Sequence, residues 1–115
     1  MPDLVFRHCK PCRGDAVPLT RSEIDELRTQ LPRWTLNDGR LVRELEARNF
    51  QAALDLVNGI GALAESEGHH PDLSIYSWNR IRVELYTHSI GGLSENDFIL
   101  AAKIELLVAP STASE

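Results

Sequence analysis

Asp38-Gly39 separates two short runs, residues 33–37 and 40–46. Glycine tolerates the positive φ of a primed two-residue turn, so this dipeptide is a strong hairpin signal. A hairpin here sets Leu36 opposite Leu41. Side chains alternate across a strand, so Leu41, Arg43 and Leu45 share one face while Val42 and Glu44 share the other. An isolated two-stranded ribbon is marginal in water. The remaining residues must therefore supply further strands or helices to cover it.

The signals on either side of the hairpin are helical. Thr20-x-x-Glu23 is a capping box, with Leu19 and Ile24 placed for a hydrophobic staple. Ile24, Leu27 and Leu31 follow at helical spacing, and Pro32 ends the run. Residues 49–67 form the longest helical stretch, with Asn49 as N-cap. Phe50, Ala53, Leu54, Val57, Ile60 and Ala64 make its apolar stripe. Gly59 and Gly61 each cost about 1 kcal/mol relative to Ala in such a helix. They point either to a backbone or subunit approaching closely or to simple tolerance. Gly68 suits the C-terminal cap, and Pro71 prevents continuation.

A short strand is expected over 73–77 and a longer one over 80–88. In the latter Ile81, Val83, Leu85 and Thr87 alternate with Arg80, Arg82, Glu84, Tyr86 and His88. After Gly91-Gly92, Ser94-x-x-Asp97 opens a last helix containing Phe98, Ile99, Ala102 and Leu106. The order is α-β-β-α-β-β-α. It predicts an α+β fold with a four-stranded antiparallel sheet and three helices packed on one face. Residues 1–18, with Pro2, Pro11, Gly14 and Pro18, read as an irregular arm. Residues 19–109 read as the domain, and 110–115 as a frayed tail.

The chain has 115 residues, 43% apolar and 25% charged, with a formal net charge of −5. That is one soluble domain with one core. Arg40/Arg43 and Arg80/Arg82 are interleaved with carboxylates and form no basic stripe, so direct nucleic-acid binding is not expected. No apolar run approaches the roughly 18 residues of a membrane span. The first ten residues lack the apolar core of a signal peptide, so a cytoplasmic location is expected. Cys9 and Cys12 form a lone C-x-x-C in the arm. With His8 they offer three metal ligands at most, against the four of a structural zinc site. A free or surface thiol pair is the plainer reading.

Three of the four histidines, His69, His70 and His88, fall at the ends of elements, where clefts form. Imidazole is the side chain best matched to proton transfer near neutral pH. Spacing leaves three readings open: surface residues, an acid–base pair, or a metal site. Adjacent histidines diverge on an extended backbone, so only one of His69 and His70 easily shares an ion with His88. Glu65 lies four residues before His69, a helical neighbour if the helix runs that far. It is also an anion at a helix C-terminus, where the dipole is unfavourable. It either orients an imidazole or is solvated in a frayed turn.

Taken together, Glu65-x-x-x-His69-His70-Pro71, Trp78, Thr87-His88 and Gly91-Gly92-Leu93 with Asp97 resemble the pattern of the pterin-4a-carbinolamine dehydratases. The resemblance spans about residues 20–108. It implies a hydro-lyase that dehydrates 4a-hydroxytetrahydropterin to quinonoid dihydropterin, recycling the pterin of aromatic amino acid hydroxylases. It implies His69 and His88 as acid and base, in an order left open. His70 would bind the pterin and assist, and Glu65 would orient or tune the site. No metal or other cofactor is implied. Tyr76 or Trp78 is a candidate for stacking on the pterin, and Trp78 equally for the core. Asp97 matches the pattern but reads better as a helix cap.

The chain departs from the pattern in two places. Leu73 stands where many relatives carry an aromatic residue, and the stretch from Pro71 to Trp78 is one residue longer than in some. The resemblance also implies a homodimer or homotetramer. Two alternatives go with it: a module that stabilises a regulator's dimer, and a pterin-binding protein without turnover. The intact set of Glu65, His69, His70 and His88 argues against the second.

Overall fold

The computed structural model of the chain describes residues 4–10 and 17–112. Pro2, Pro11, Cys12 and Gly14 lie outside the described residues. The order of elements is helix α1 (Arg21–Arg28), strands β1 (Thr35–Asn37) and β2 (Arg40–Glu46), helix α2 (Phe50–Glu67), strands β3 (Asp72–Tyr76) and β4 (Arg80–Leu85), and helix α3 (Glu95–Thr112). The strands form one antiparallel sheet in the order β1-β2-β4-β3. The expected α+β architecture is the one found.

Asp38 and Gly39 both take positive φ, 54° and 75°, and pair Leu36 with Leu41 as the turn chemistry requires. One face of the sheet is buried: Leu41 and Leu45 of β2 with Ile81, Val83 and Leu85 of β4. The only cation among them, Arg43, is pinned from above. Its Nε donates to Glu105 Oε1 on α3 at 2.7 Å, and the indole N–H of fully buried Trp34 donates to the same oxygen at 2.9 Å. A buried charge is tolerated only with such partners. The other face is largely polar, with Val42 buried within it. There Tyr76 donates to Glu44 at 2.5 Å, and Arg82 pairs with Glu44 and Glu84. The bond from the phenol holds the Glu44 carboxyl below its ordinary pKa and pushes the Tyr76 phenol above its own.

Local signals mostly hold. Both bonds of the capping box are made: Glu23 N–H to Thr20 Oγ1 at 3.2 Å and Thr20 N–H to Glu23 Oε1 at 2.8 Å. Asn49 caps α2 through Ala52 N–H at 2.8 Å, and Gly68 ends it with φ 67°. Three details differ. The first helix stops at Arg28, before Leu31, because the backbone tightens into three-residue turns ahead of Pro32. Leu31 still enters the core, from a turn. Strand β4 stops at Leu85, not 88. Thr87 bridges to Gly92, closing a loop that holds the 3-10 turn His88–Ile90. Trp78 is not a core residue: it sits at φ 59° on the β3–β4 turn and is 62% exposed.

The glycines of α2 divide. A Cβ at Gly59 would meet the Leu107 side chain at 3.3 Å, so helix α3 is the close neighbour there, while Gly61 faces open space. Phe50, read as part of the apolar stripe, is half-exposed. The first described segment is anchored: Leu4 begins a 3-10 turn and is fully buried among the core residues.

Candidate active site

The turn that ends α2 and the loop that follows β4 meet over the first turn of α3. Gly68 leaves the helix in the left-handed region, a conformation that costs other residues roughly 1–2 kcal/mol. That reversal turns His69 back toward α3. His69 Nε2 lies 2.6 Å from Asp97 Oδ1, and Asp97 is fully buried. The second carboxylate oxygen of Asp97 accepts from Thr87 Oγ1 at 2.7 Å and from Ser94 N–H at 2.9 Å. Asp97 is thus both the helix-start acceptor foreseen and the group that orients His69. With Asp97 ionised, His69 donates through Nε2 and leaves Nδ1 as the lone-pair nitrogen.

His70 points elsewhere. Its Nε2 lies 2.9 Å from Glu65 Oε1, and both side chains are exposed. Glu65 therefore pairs with His70 rather than with His69. The helix ends at Glu67, and the left-handed Gly68 breaks the four-residue spacing that would have joined Glu65 to His69. His88 begins the 3-10 turn of the loop. Its ring meets the edge of Tyr86 at 5.0 Å and 72°, and Tyr86 in turn lies under the Arg40 guanidinium at 4.7 Å. Arg40 over the Tyr86 face and His88 against its edge form a contiguous series of contacts.

His69, His70 and His88 line one open hollow of about 310 Å³, with Lys10, Tyr86, Thr87 and Asn96 also in its wall. That volume is at the lower end of the range typical of small-molecule sites. Tyr76 and Trp78 do not line it. They lie at the end of β3 and in the following turn, four residues and more beyond Asp72, which at about 3.3 Å per residue is roughly 13 Å along the strand. Sequence reasoning passed over Lys10, Asn96 and Tyr86 as pocket residues. Tyr86 shares an alternation face with His88 in the sequence, and that spacing of two is the signal. Nothing in the sequence pointed to Lys10 or Asn96.

Among the described residues no group of three or more His, Cys, Asp or Glu is arranged to hold a metal ion. His8, considered as a ligand beside the cysteines, instead approaches Glu67 at 3.0 Å. Cys9 is half-buried, its Sγ 3.6 Å from the Asn96 carbonyl. Burial and the nearby Glu67 carboxylate push its thiol up to about 12. No helix among the described residues is long and apolar enough to cross a membrane.

Residues 17–107 match the family model described as pterin 4 alpha carbinolamine dehydratase. A protein of Methylococcus capsulatus, provisionally named a pterin-4-alpha-carbinolamine dehydratase, is 47% identical over 108 residues, 92% of this chain and 94% of that one. A relative with the same provisional name in Chlorobaculum tepidum is 45% identical over 112 residues, 94% of this chain and all of that one. The fold is also similar to a crystal structure titled transcriptional coactivator/pterin dehydratase from Brucella melitensis. That match has a TM-score of 0.72 and 30% identity, covering 78% of this chain and 97% of the other.

Proposed function

This chain belongs to the pterin-4-alpha-carbinolamine dehydratase family, whose members are hydro-lyases, and we propose that His69 and His88 carry out the dehydration as a paired base and acid. The substrate is a 4a-hydroxytetrahydropterin, which bears N–H and C–OH on adjacent atoms. A base removes the N–H proton, and the nitrogen's electron pair forms the carbon–nitrogen double bond. The carbon–oxygen bond breaks as an acid protonates the departing hydroxyl. Water and quinonoid dihydropterin are the products. Atoms and electrons balance with no metal and no redox partner.

The observation that carries this reading is the shared hollow, with His69 held at 2.6 Å by a buried carboxylate. His69 suits the base. Its Nδ1 carries the free lone pair, and Asp97 stabilises the imidazolium formed when the proton arrives. His88 suits the acid. It is exposed at the rim, where water restores its proton after each turnover. His70, tied to Glu65, takes a binding role at the same wall. The reaction supplies the recycling step for a tetrahydropterin-dependent aromatic hydroxylase. The test is the ultraviolet absorbance change after freshly generated carbinolamine is added to the purified protein. Dehydration well above the buffer rate supports the reading, and a rate equal to buffer rejects it.

A second role rests on the Brucella melitensis relative, whose title joins coactivator to dehydratase. Phe50 on α2 and Leu106 and Leu107 on α3 are exposed apolar side chains suited to a protein contact, either self-assembly into a dimer or tetramer or a regulator. A regulator captured by the wild-type protein and by a His69→Ala variant alike, but not by a Leu106→Glu variant, supports that role. Capture that survives Leu106→Glu rejects this surface.

A further inference from the structure

The hollow has one wall that lies outside the span of the family model. The family model begins at residue 17, yet Lys10 lines the same cavity as His69, His70 and His88. Lys10 is not there by the accident of a loose terminus. Asn96, itself buried, grips its backbone on both sides. Lys10 N–H donates to Asn96 Oδ1 at 3.0 Å, and Asn96 Nδ2 donates back to the Lys10 carbonyl at 2.5 Å. The three preceding residues are anchored as well. Cys9 N–H donates to Glu67 Oε1 at 2.8 Å, His8 Nδ1 lies 3.0 Å from Glu67 Oε2, and Arg7 pairs with Glu95 at 2.6 Å. Further back, Lys103 donates to the Val5 carbonyl at 2.8 Å, and Leu4 is buried.

Residues 7–10 are thus tied to the end of α2 and the start of α3, the two elements that also position His69. Backbone anchoring of this kind fixes where a side chain starts while leaving its end free. Among the described residues the Lys10 ammonium has no hydrogen-bond or ion-pair partner, so its three donors remain available. A tetrahydropterin carbinolamine offers a pyrimidinone carbonyl beside the carbon that bears the leaving hydroxyl. Such an oxygen is a good acceptor for an ammonium, and a charge-assisted bond is stronger than a neutral one.

We propose that Lys10 is a substrate-positioning residue of this site, held over the hollow by the Asn96 and Glu67 clamp so that its ammonium binds an acceptor oxygen of the pterin. The proposal rests on the dehydratase reading above. It adds a contact from a segment that precedes the span of the family model, residues 17–107.

The test compares wild type with Lys10→Met, which keeps length and loses charge, and Lys10→Arg, which keeps charge. Two readouts are used: steady-state dehydration of the carbinolamine, and the Kd for 7,8-dihydrobiopterin by fluorescence, which needs no turnover. Lys10→Met is expected to raise KM and Kd about tenfold, with kcat within about twofold, the size of one hydrogen bond to a charged group. Lys10→Arg is expected to keep most of the affinity. Glu67→Gln, which loosens the clamp outside the cavity, is expected to raise KM by a smaller factor without changing kcat. An active wild type with an unchanged KM and Kd in Lys10→Met overturns this inference and leaves the dehydratase reading standing. Equal losses in Lys10→Met and Lys10→Arg also overturn it, because the charge is then not what binds. An inactive wild type overturns the dehydratase reading and this inference with it.

Discussion

Asp97 is the residue on which the site's geometry turns. Its carboxylate is fully buried, yet it meets His69, Thr87 and the Ser94 N–H. Asp97→Asn keeps the shape but replaces an acceptor with a group that also donates, so the His69 tautomer is no longer fixed. A fall in kcat of about 10–100-fold is expected, with KM nearly unchanged, in the same absorbance assay. Wild-type kcat in that variant removes the orienting role. Cys9 gives a second prediction. With its thiol pushed up to about 12, the thiolate is scarce at neutral pH. Alkylation of Cys9 at pH 7 should therefore run at least tenfold slower than for a model thiol of pKa about 8.5, read by peptide mass. The sequence made the three histidines and Glu65 visible, because helix-end and turn signals placed them at rims. It could not show that Asp97 serves His69 as well as the helix. That pairing spans 28 residues and depends on how α2 packs against α3.

At the scale of elements, the two ends of α2 were readable because capping is local chemistry. Asn49 and Gly68 each act through bonds within a few residues. The ends of α1 and β4 were misread for the opposite reason. Periodicity continues through Leu31 and His88, but a tightened turn and the Thr87–Gly92 bridge stop the elements first. Gly92 itself is dictated by packing: a Cβ there would lie 2.6 Å from Pro18 Cβ. Gly68→Ala meets no atom within 4 Å, so its cost is conformational alone. It should lower unfolding free energy by about 1–2 kcal/mol in a urea titration. A change near zero would mean the left-handed cap is not retained.

The arm carries a pH dependence of its own. Burial works to raise the Glu67 carboxyl, but the Cys9 N–H, His8 and Lys103 outweigh it and hold it below the ordinary value. A carboxyl lowered on folding contributes stability above its unfolded pKa of about 4.3, and that stability is lost as pH falls through the lower folded value. Wild type should therefore melt higher than Glu67→Gln at pH 7, and the difference in Tm should close as pH falls below about 4. A difference that is constant with pH contradicts the anchoring.

For the whole molecule, the alternating strands, the hairpin and the order of elements were sufficient to give a four-stranded sheet with helices on one face. What they could not give was the polar wiring of that core. Glu105 holding Arg43 and Trp34 joins residues 62 and 71 positions apart. The same limit hid the arm's place in the cavity wall. The chemistry proposed needs only proton transfer, so full activity is expected after exhaustive chelation. A loss restored by added zinc would favour the metal reading instead. The most direct test of the central claim is the dehydration rate of freshly generated carbinolamine with His69→Ala and His88→Ala, each verified as folded by circular dichroism. Each variant should be at least about tenfold slower than wild type. Wild-type rates in both would contradict the account.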